Sequence, residues 1–412
     1  MRGRRLRKPV ERPVDVSAAQ EEALEDQARG EEEEDAQELA ELDEDATEAE
    51  VATGEPEPDR APSELAAKLR AVTSGARDVE QAPPPPRSIG APVPETGVDL
   101  AVDAARGLRL RNPVLAASGT FGQGVEYAEL IDVARLGAFV NKGTTIRARP
   151  GNPQYRIAET PAGILNSIGL ENPGAAEVAR KYGKAWGALG VPVIVNVAGY
   201  SVEDYVAVVR VMTGTPGVVA WELNVSCPNV EGGMLFGCDP FLAAEVTRAV
   251  KAETDLPVIV KLTPNAPDVV AVARAVEAAG ADALTAINTV LGMRIDVARR
   301  RPVLGAGSGG LSGPAIRPIA VHLTYQVAQA VSIPIIGAGG ITSAQDALEF
   351  LMAGASAVQV GTATFADPEA PLKVLAGLAA YVRAEGLGSI REIIGCALPP
   401  RAVESDAAID SS

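Results

Sequence analysis

One histidine, His322, stands in a chain of 412 residues. That scarcity excludes a multi-histidine metal site and leaves any Ser-His-Asp arrangement resting on a single residue. His322 lies in "IRPIAVHLTYQVAQAV", a helical pattern, where a packed or surface histidine is the plain reading. Cysteine is almost as rare. Cys227, Cys238 and Cys396 are too few for a disulfide framework and fit a reducing compartment. No apolar run approaches the roughly 20 residues of a membrane-spanning helix. The opening "MRGRRLRKP" is basic but lacks the apolar centre of a secretion signal, and the acid-rich sequence after it is unlike a transit peptide. The expectation is a soluble, cytoplasmic protein with no membrane partner and no resident metal.

Charge is unevenly spread. Residues 1–95 hold 12 Lys and Arg against 25 Asp and Glu, whereas the remaining chain holds 25 against 29. The stretch "EEEEDAQELAELDEDATEAEVATGEPEPD" is acidic and free of aromatics, and "QAPPPPRS" ends the region in a stiff proline run. Such sequence buries too little apolar area to offset its ordering entropy. Residues 1–95 are therefore expected to be a disordered extension, with at most a transient polar helix over roughly 18–49. The rest lacks a basic tract of the kind that binds phosphate backbones, so no nucleic-acid partner is expected.

From about residue 98 the texture changes to short apolar runs alternating with Ala-rich amphipathic stretches. The runs are "NPVLAASGT" (112–120), "GAFVNKGTT" (137–145), "VPVIVNVAG" (191–199), "GVVAWELNVSCPN" (217–229), "LPVIVKLTP" (256–264), "ADALTAINTV" (281–290), "IPIIGAGGI" (333–341) and "SAVQVGTATF" (356–365). Continuous apolar runs, as opposed to alternating ones, indicate strands covered on both faces. Helical patterns such as "GAAEVARKYGKAW", "SVEDYVAVVRVM", "FLAAEVTRAVKAE", "DVVAVARAVEAAG" and "SAQDALEFLMAG" separate most of them. Eight strand–helix units predict an α/β protein built as a (β/α)8 TIM barrel over residues 96–400, with a short tail over 401–412. A doubly wound sheet is the alternative, because strand order alone does not prove closure.

The strand ends carry the chemistry. They supply Ser118, Lys142, Asn196, Asn224 with Cys227, Lys261, Asn288, the pair Gly339 and Gly340, and the pair Gly361 and Thr362. In a parallel barrel all such ends meet on one face. The turns "GAGGI" and "GTATF" follow the last two strands, where small residues let backbone N–H groups approach a phosphate. Lys142 and Lys261 end apolar strands and are expected to face an anion. A phosphorylated, electron-accepting cofactor, a flavin, meets both requirements; an ion pair within the protein is the other possibility. The asparagines suit the imide and amide edges of a flavin or a pyrimidine-like substrate. Cys227 remains open among metal ligand, disulfide partner, core thiol, nucleophile and base. No second cysteine stands at CxxC spacing from it, and "NVSCPN" is poor core sequence.

The segments "ASGTFG", "NKGTT", "GNPQYRIAETPAGILNSIGLENPG", "ELNVSCPN" with "FGCDP", "VKLTPN", "INTV", "GAGGI" and "VGTATF" resemble class 1 dihydroorotate dehydrogenases, and the first, third and fourth resemble the 1B branch. The resemblance spans about residues 98–395; Cys238 stands where the family is expected to carry a non-thiol residue. It implies an FMN enzyme that oxidises (S)-dihydroorotate to orotate in de novo pyrimidine (UMP) biosynthesis. By the same resemblance FMN contacts Ser118, Lys142, Gly143, Asn196, Asn224, Lys261, Ile287, Gly313, Gly339, Gly340, Gly361 and Thr362. The substrate meets Lys142, Asn166, Ser167, Ile168, Gly169, Leu170, Asn224, Asn288 and Thr289, and Cys227 matches the catalytic base. The 1B branch further implies a homodimer of barrels within a heterotetramer, passing electrons to NAD+ through a subunit that carries FAD and an iron–sulfur cluster. A fumarate-linked 1A type is the alternative acceptor reading. A dihydrouridine-synthase-like flavin barrel and a catalytically silent scaffold are the more distant rivals.

Overall fold

The computed structural model describes residues 97–226 and 236–400. The expected extension over 1–95, the tail over 401–412 and Cys227 lie outside the described residues. All eight apolar runs form strands: β1 (Val114–Ala116), β2 (Ala138–Val140), β3 (Val193–Val197), β4 (Val218–Asn224), β5 (Val258–Lys261), β6 (Ala283–Ala286), β7 (Ile335–Ala338) and β8 (Ala357–Val360). Each pairs in parallel with its neighbours in the chain, and β8 closes onto β1 through Val358↔Val114 and Val360↔Ala116. The sheet is a closed barrel, which removes the doubly wound alternative. Continuous apolar sequence is explained by burial on both faces: β2, β5, β6, β7 and β8 contain no exposed residue.

The outer layer comprises α1 (Ala175–Ala188), α2 (Val202–Met212), α3 (Pro240–Glu253), α4 (Val269–Ala278), α5 (Arg317–Ala330), α6 (Ala344–Met352), the single turn α7 (Ala363–Ala366) and α8 (Ala370–Ala384). Side-chain caps fix several starts. Ser201 accepts from Asp204 N, Asp239 from Phe241 N and Leu242 N, and Asp268 from Ala271 N. Ser343 and Asp346 form a reciprocal capping box on α6. Each such cap stabilises its helix by about 1 kcal/mol. Asp346 also pairs with Arg317 at the start of α5, tying two adjacent helices together. His322 is exposed on α5, as its sequence context indicates. Among the described residues no helix is long and apolar enough to cross a membrane.

Three links depart from simple strand–helix alternation, the first being β1 to β2, which is spanned by two 3-10 turns (Tyr127–Glu129 and Val133–Arg135) in place of an α-helix. The excursion after β2 and the one after β6 each send strands outward. Ile157–Thr160, Gly163–Asn166, Gly309–Ser312 and Val290–Gly292 join into one antiparallel sheet, in which Asn166 pairs with Gly310. At the opposite end, a hairpin of Val102–Ala105 and Leu108–Leu110 packs beneath the barrel, with Arg106 N donating to Asp282 O just before β6.

Candidate active site

Side chains alternate along a strand, and β4 shows what this does. Trp221 points outward, its indole N–H donating to Thr254 Oγ1 at 2.9 Å. Glu222 points into the barrel and is fully buried. Its Oε1 accepts from Asn196 Nδ2 of β3 at 2.8 Å, and its Oε2 accepts from Thr285 Oγ1 of β6 at 2.8 Å and Gln359 Nε2 of β8 at 2.6 Å. Lys261 Nζ of β5 stands 3.6 Å from Oε1. Five strands thus contribute to one polar layer near the carboxyl end of the barrel.

Above this layer lies a cavity of about 1550 Å³. Every candidate site residue within the described chain lines it: Ser118, Lys142, Gly143, Asn166 to Leu170, Asn196, Asn224, Lys261, Ile287, Asn288, Thr289, Gly313, Gly339, Gly340, Gly361 and Thr362. Residues as far apart in sequence as Ser118 and Thr362 therefore share one space. Asn224 Oδ1 accepts from Asn288 Nδ2 at 3.2 Å, linking the ends of β4 and β6. Asn166 Nδ2 donates to Gly310 O at 3.1 Å, so the antiparallel sheet forms the outer wall. The run that follows Asn166 is held from behind. Asn152 donates from Nδ2 to Ser167 Oγ at 2.7 Å and from its backbone N to Ile168 O at 3.0 Å, and Asn172 Nδ2 donates to Leu170 O at 2.7 Å. Leu170 has φ 56°, a left-handed conformation uncommon for a non-glycine residue. Arg149 lies 4.6 Å over the Tyr200 ring beside this run.

Both strand-end lysines find carboxylates within the chain. Lys142 Nζ is 3.6 Å from Glu171 Oε2, which also accepts from Arg156 Nη1 at 3.0 Å, and Lys261 faces Glu222. The internal ion pair is therefore present at both positions, and lysine burial alone does not call for a cofactor.

The dihydroorotate dehydrogenase family model matches residues 100–382 of the chain. This chain belongs to the dihydroorotate dehydrogenase family. Among its relatives is "Dihydroorotate dehydrogenase B (NAD(+)), catalytic subunit" of Anoxybacillus flavithermus, 54% identical over 290 residues, covering 70% of this chain and 93% of the relative. Proteins of the same description from Desulforamulus reducens (52% over 301 residues, 73% and 99%) and Geotalea uraniireducens (49% over 298 residues, 72% and 97%) are also similar. The B form named in all three agrees with the 1B motifs. Membership in this family sets aside the RNA-modifying and scaffold readings.

Dihydroorotate dehydrogenases are flavin-dependent, and the cavity fits a flavin. Asn196 lines the cavity, and its buried Oδ1 accepts no hydrogen bond among the described residues. A Cβ at Gly143 would approach that oxygen and Leu170 Cδ2 to 3.1 Å each, so glycine keeps the space beside Asn196 open. Gly339 and Gly340 adopt φ 137° and 72°, conformations that turn backbone toward the cavity at the cost of any side chain. The volume exceeds the roughly 300–1000 Å³ of an ordinary ligand pocket, enough for a cofactor together with a substrate.

Cys227 itself lies outside the described residues, but Asn224 and Ser226 immediately before it line the cavity. Cys238 is half-buried with Sγ 3.8 Å from Asn265 O, and burial pushes its thiol above the usual range. Glu222, Thr285 and Gln359 lie before the final residues of β4, β6 and β8 and are not among the strand-end candidates. The signal was present: a carboxylate within "VVAWELN" and an amide within "AVQV" are out of place in a strand buried on both faces.

Proposed function

We propose that this chain oxidises (S)-dihydroorotate to orotate in pyrimidine biosynthesis, using FMN held at the carboxyl end of the barrel. The observation that carries this reading is the convergence of every described candidate residue on one cavity in a chain of this family. The barrel over 96–400 is the catalytic unit; residues 1–95 and 401–412 take no part in the chemistry.

Gly339, Gly340, Gly361 and Thr362, together with Gly313, would hold the FMN phosphate through backbone N–H groups, the role that small residues after the last two strands serve in barrels. Asn196, Lys261, Ser118, Gly143 and Ile287, which line the cavity, would hold the ring system. The chemistry a bound flavin supplies there is acceptance of the hydride from C6 of the substrate. Lys142, Asn166, Asn224, Asn288 and Thr289 grip the carboxylate and ring amides, and the run from Ser167 to Leu170 covers the substrate from the outer wall. The proton from C5 goes to Cys227. A thiolate serves as a base near neutral pH because cysteine titrates near 8.5 and neighbouring cations lower that value. Asn224, three residues earlier, orients the substrate for it.

A partner subunit carrying FAD and an iron–sulfur cluster would hand the electrons on to NAD+, with the catalytic chains paired as a homodimer. The names of the relatives support the NAD+ acceptor and the partner; fumarate is the less favoured acceptor. The test is to purify the chain, identify its flavin, and assay dihydroorotate oxidation with an artificial acceptor, NAD+ and fumarate, with and without the partner. A chain that binds no flavin, or binds it without oxidising dihydroorotate, overturns the reading.

A further inference from the structure

Glu222 has no exposed surface and no part in the reaction just described. A carboxylate inside a barrel is unfavourable unless its oxygens are fully bonded, and apolar side chains usually fill that space. Here three neutral donors hold it at 2.6 to 2.8 Å. Its contact with Lys261 is of a different kind. The ammonium lies 3.4 Å from both Ser118 Oγ and Gln359 Oε1, long hydrogen bonds, and 3.6 Å from Glu222 Oε1. Lys261, Asn196 and Gln359 line the cavity, whereas Glu222 and Thr285 do not. The carboxylate therefore sits beneath groups that face the cofactor space and anchors them from below.

We propose that Glu222 is a positioning residue that fixes the Lys261 ammonium at the cavity floor and, through it, sets how strongly the site favours reduced flavin. This rests on the flavin reading above. A cation held near the cofactor favours its more negative, reduced form. The negative charge of Glu222 acting directly would do the opposite. The sign of the effect therefore separates a residue that works through Lys261 from one that acts on the flavin itself. A purely structural carboxylate would disturb stability without coupling to Lys261.

The experiment compares the full-length flavin-loaded protein with Glu222→Gln, Lys261→Met and the double variant. The midpoint potential of the bound flavin is measured by spectroelectrochemical titration, and flavin affinity by fluorescence. Each single change is expected to lower the reduction equilibrium constant about tenfold, or about 30 mV for a two-electron couple. The double variant should fall no further than Lys261→Met, the mark of two residues acting as one. A raised potential in Glu222→Gln, or additive losses in the double variant, overturns the proposal. Should Glu222→Gln fail to fold, Glu222→Asp carries the test, because it keeps the charge and draws the carboxylate back from Lys261. A smaller fall in potential supports the role, and an unchanged or raised potential overturns it. A wild-type chain that binds no flavin overturns the functional reading together with this one; bound flavin with the wrong sign overturns this one alone.

Discussion

At the amino end of the barrel, Val102, Ala104, Leu108 and Leu110 pack under the strands, each buried to 8% exposure or less. At the carboxyl end the same eight strands finish in lysine, asparagine, glycine and serine around an open cavity. A parallel barrel gives its two ends different duties because every strand points the same way. One end is closed by apolar packing, and the other is left polar where several chain segments meet. Substitutions at the two ends should accordingly fail in different ways.

The largest effect is expected at the carboxyl end. Cys227→Ala should keep its flavin and still bind orotate, yet reduce that flavin about 10²–10⁴-fold more slowly, the usual loss on removing a general base. Stopped-flow bleaching by dihydroorotate across a pH series is the measurement. In the wild type the rate should rise with pH as the thiol ionises, and the rise should vanish in Cys227→Ala and Cys227→Ser. Bleaching at the wild-type rate would return Cys227 to a structural role. Lys261→Ala should purify with much less flavin, because it removes a cation from the floor and leaves Glu222 without its counter-charge; full flavin content and full activity would make this lysine structural.

At the other end, Leu110→Ala should leave flavin content and turnover near wild type while lowering stability by about 2–5 kcal/mol, as cavities in packed cores do. Denaturant unfolding monitored alongside activity tests this. Slowed chemistry in a variant of undiminished stability would break the contrast between the two ends. The smallest effects are expected beyond both. Deleting residues 1–95 should leave FMN content and artificial-acceptor activity unchanged, since the family match begins at residue 100. Loss of flavin on deletion would give that segment a part in the site.

Much of this architecture was legible in the sequence because parallel strands announce themselves locally. A run such as "LPVIVKLTP" is apolar throughout since both its faces are covered, and its last polar residue marks the functional end. The outer sheet was not legible in this way. Its strands are short, half-buried and rich in glycine, and Asn166 finds its partner Gly310 at a separation of 144 residues. The polar layer is hard to read locally for another reason. Thr285 and Gln359 lie inside apolar runs, and nothing local says that both reach the same carboxylate. The lysine partners were likewise decided by tertiary contact: Glu171 lies 29 positions after Lys142 and on another segment.

The outer wall also constrains the order in which the protein can mature. Ile157–Thr160 and Gly163–Asn166 emerge early in synthesis, but Gly309–Ser312 and Val290–Gly292 arrive only after six of the eight barrel strands have been made. Pairings of such long separation form slowly, because a large loop must close before any contact rewards it. The cavity therefore has no complete wall until the second half of the chain is in place. In a nascent or truncated chain the cavity-lining run from Asn166 to Leu170 lacks the strand that Asn166 pairs with, so the outer wall of the cavity is tied to completion of the whole barrel.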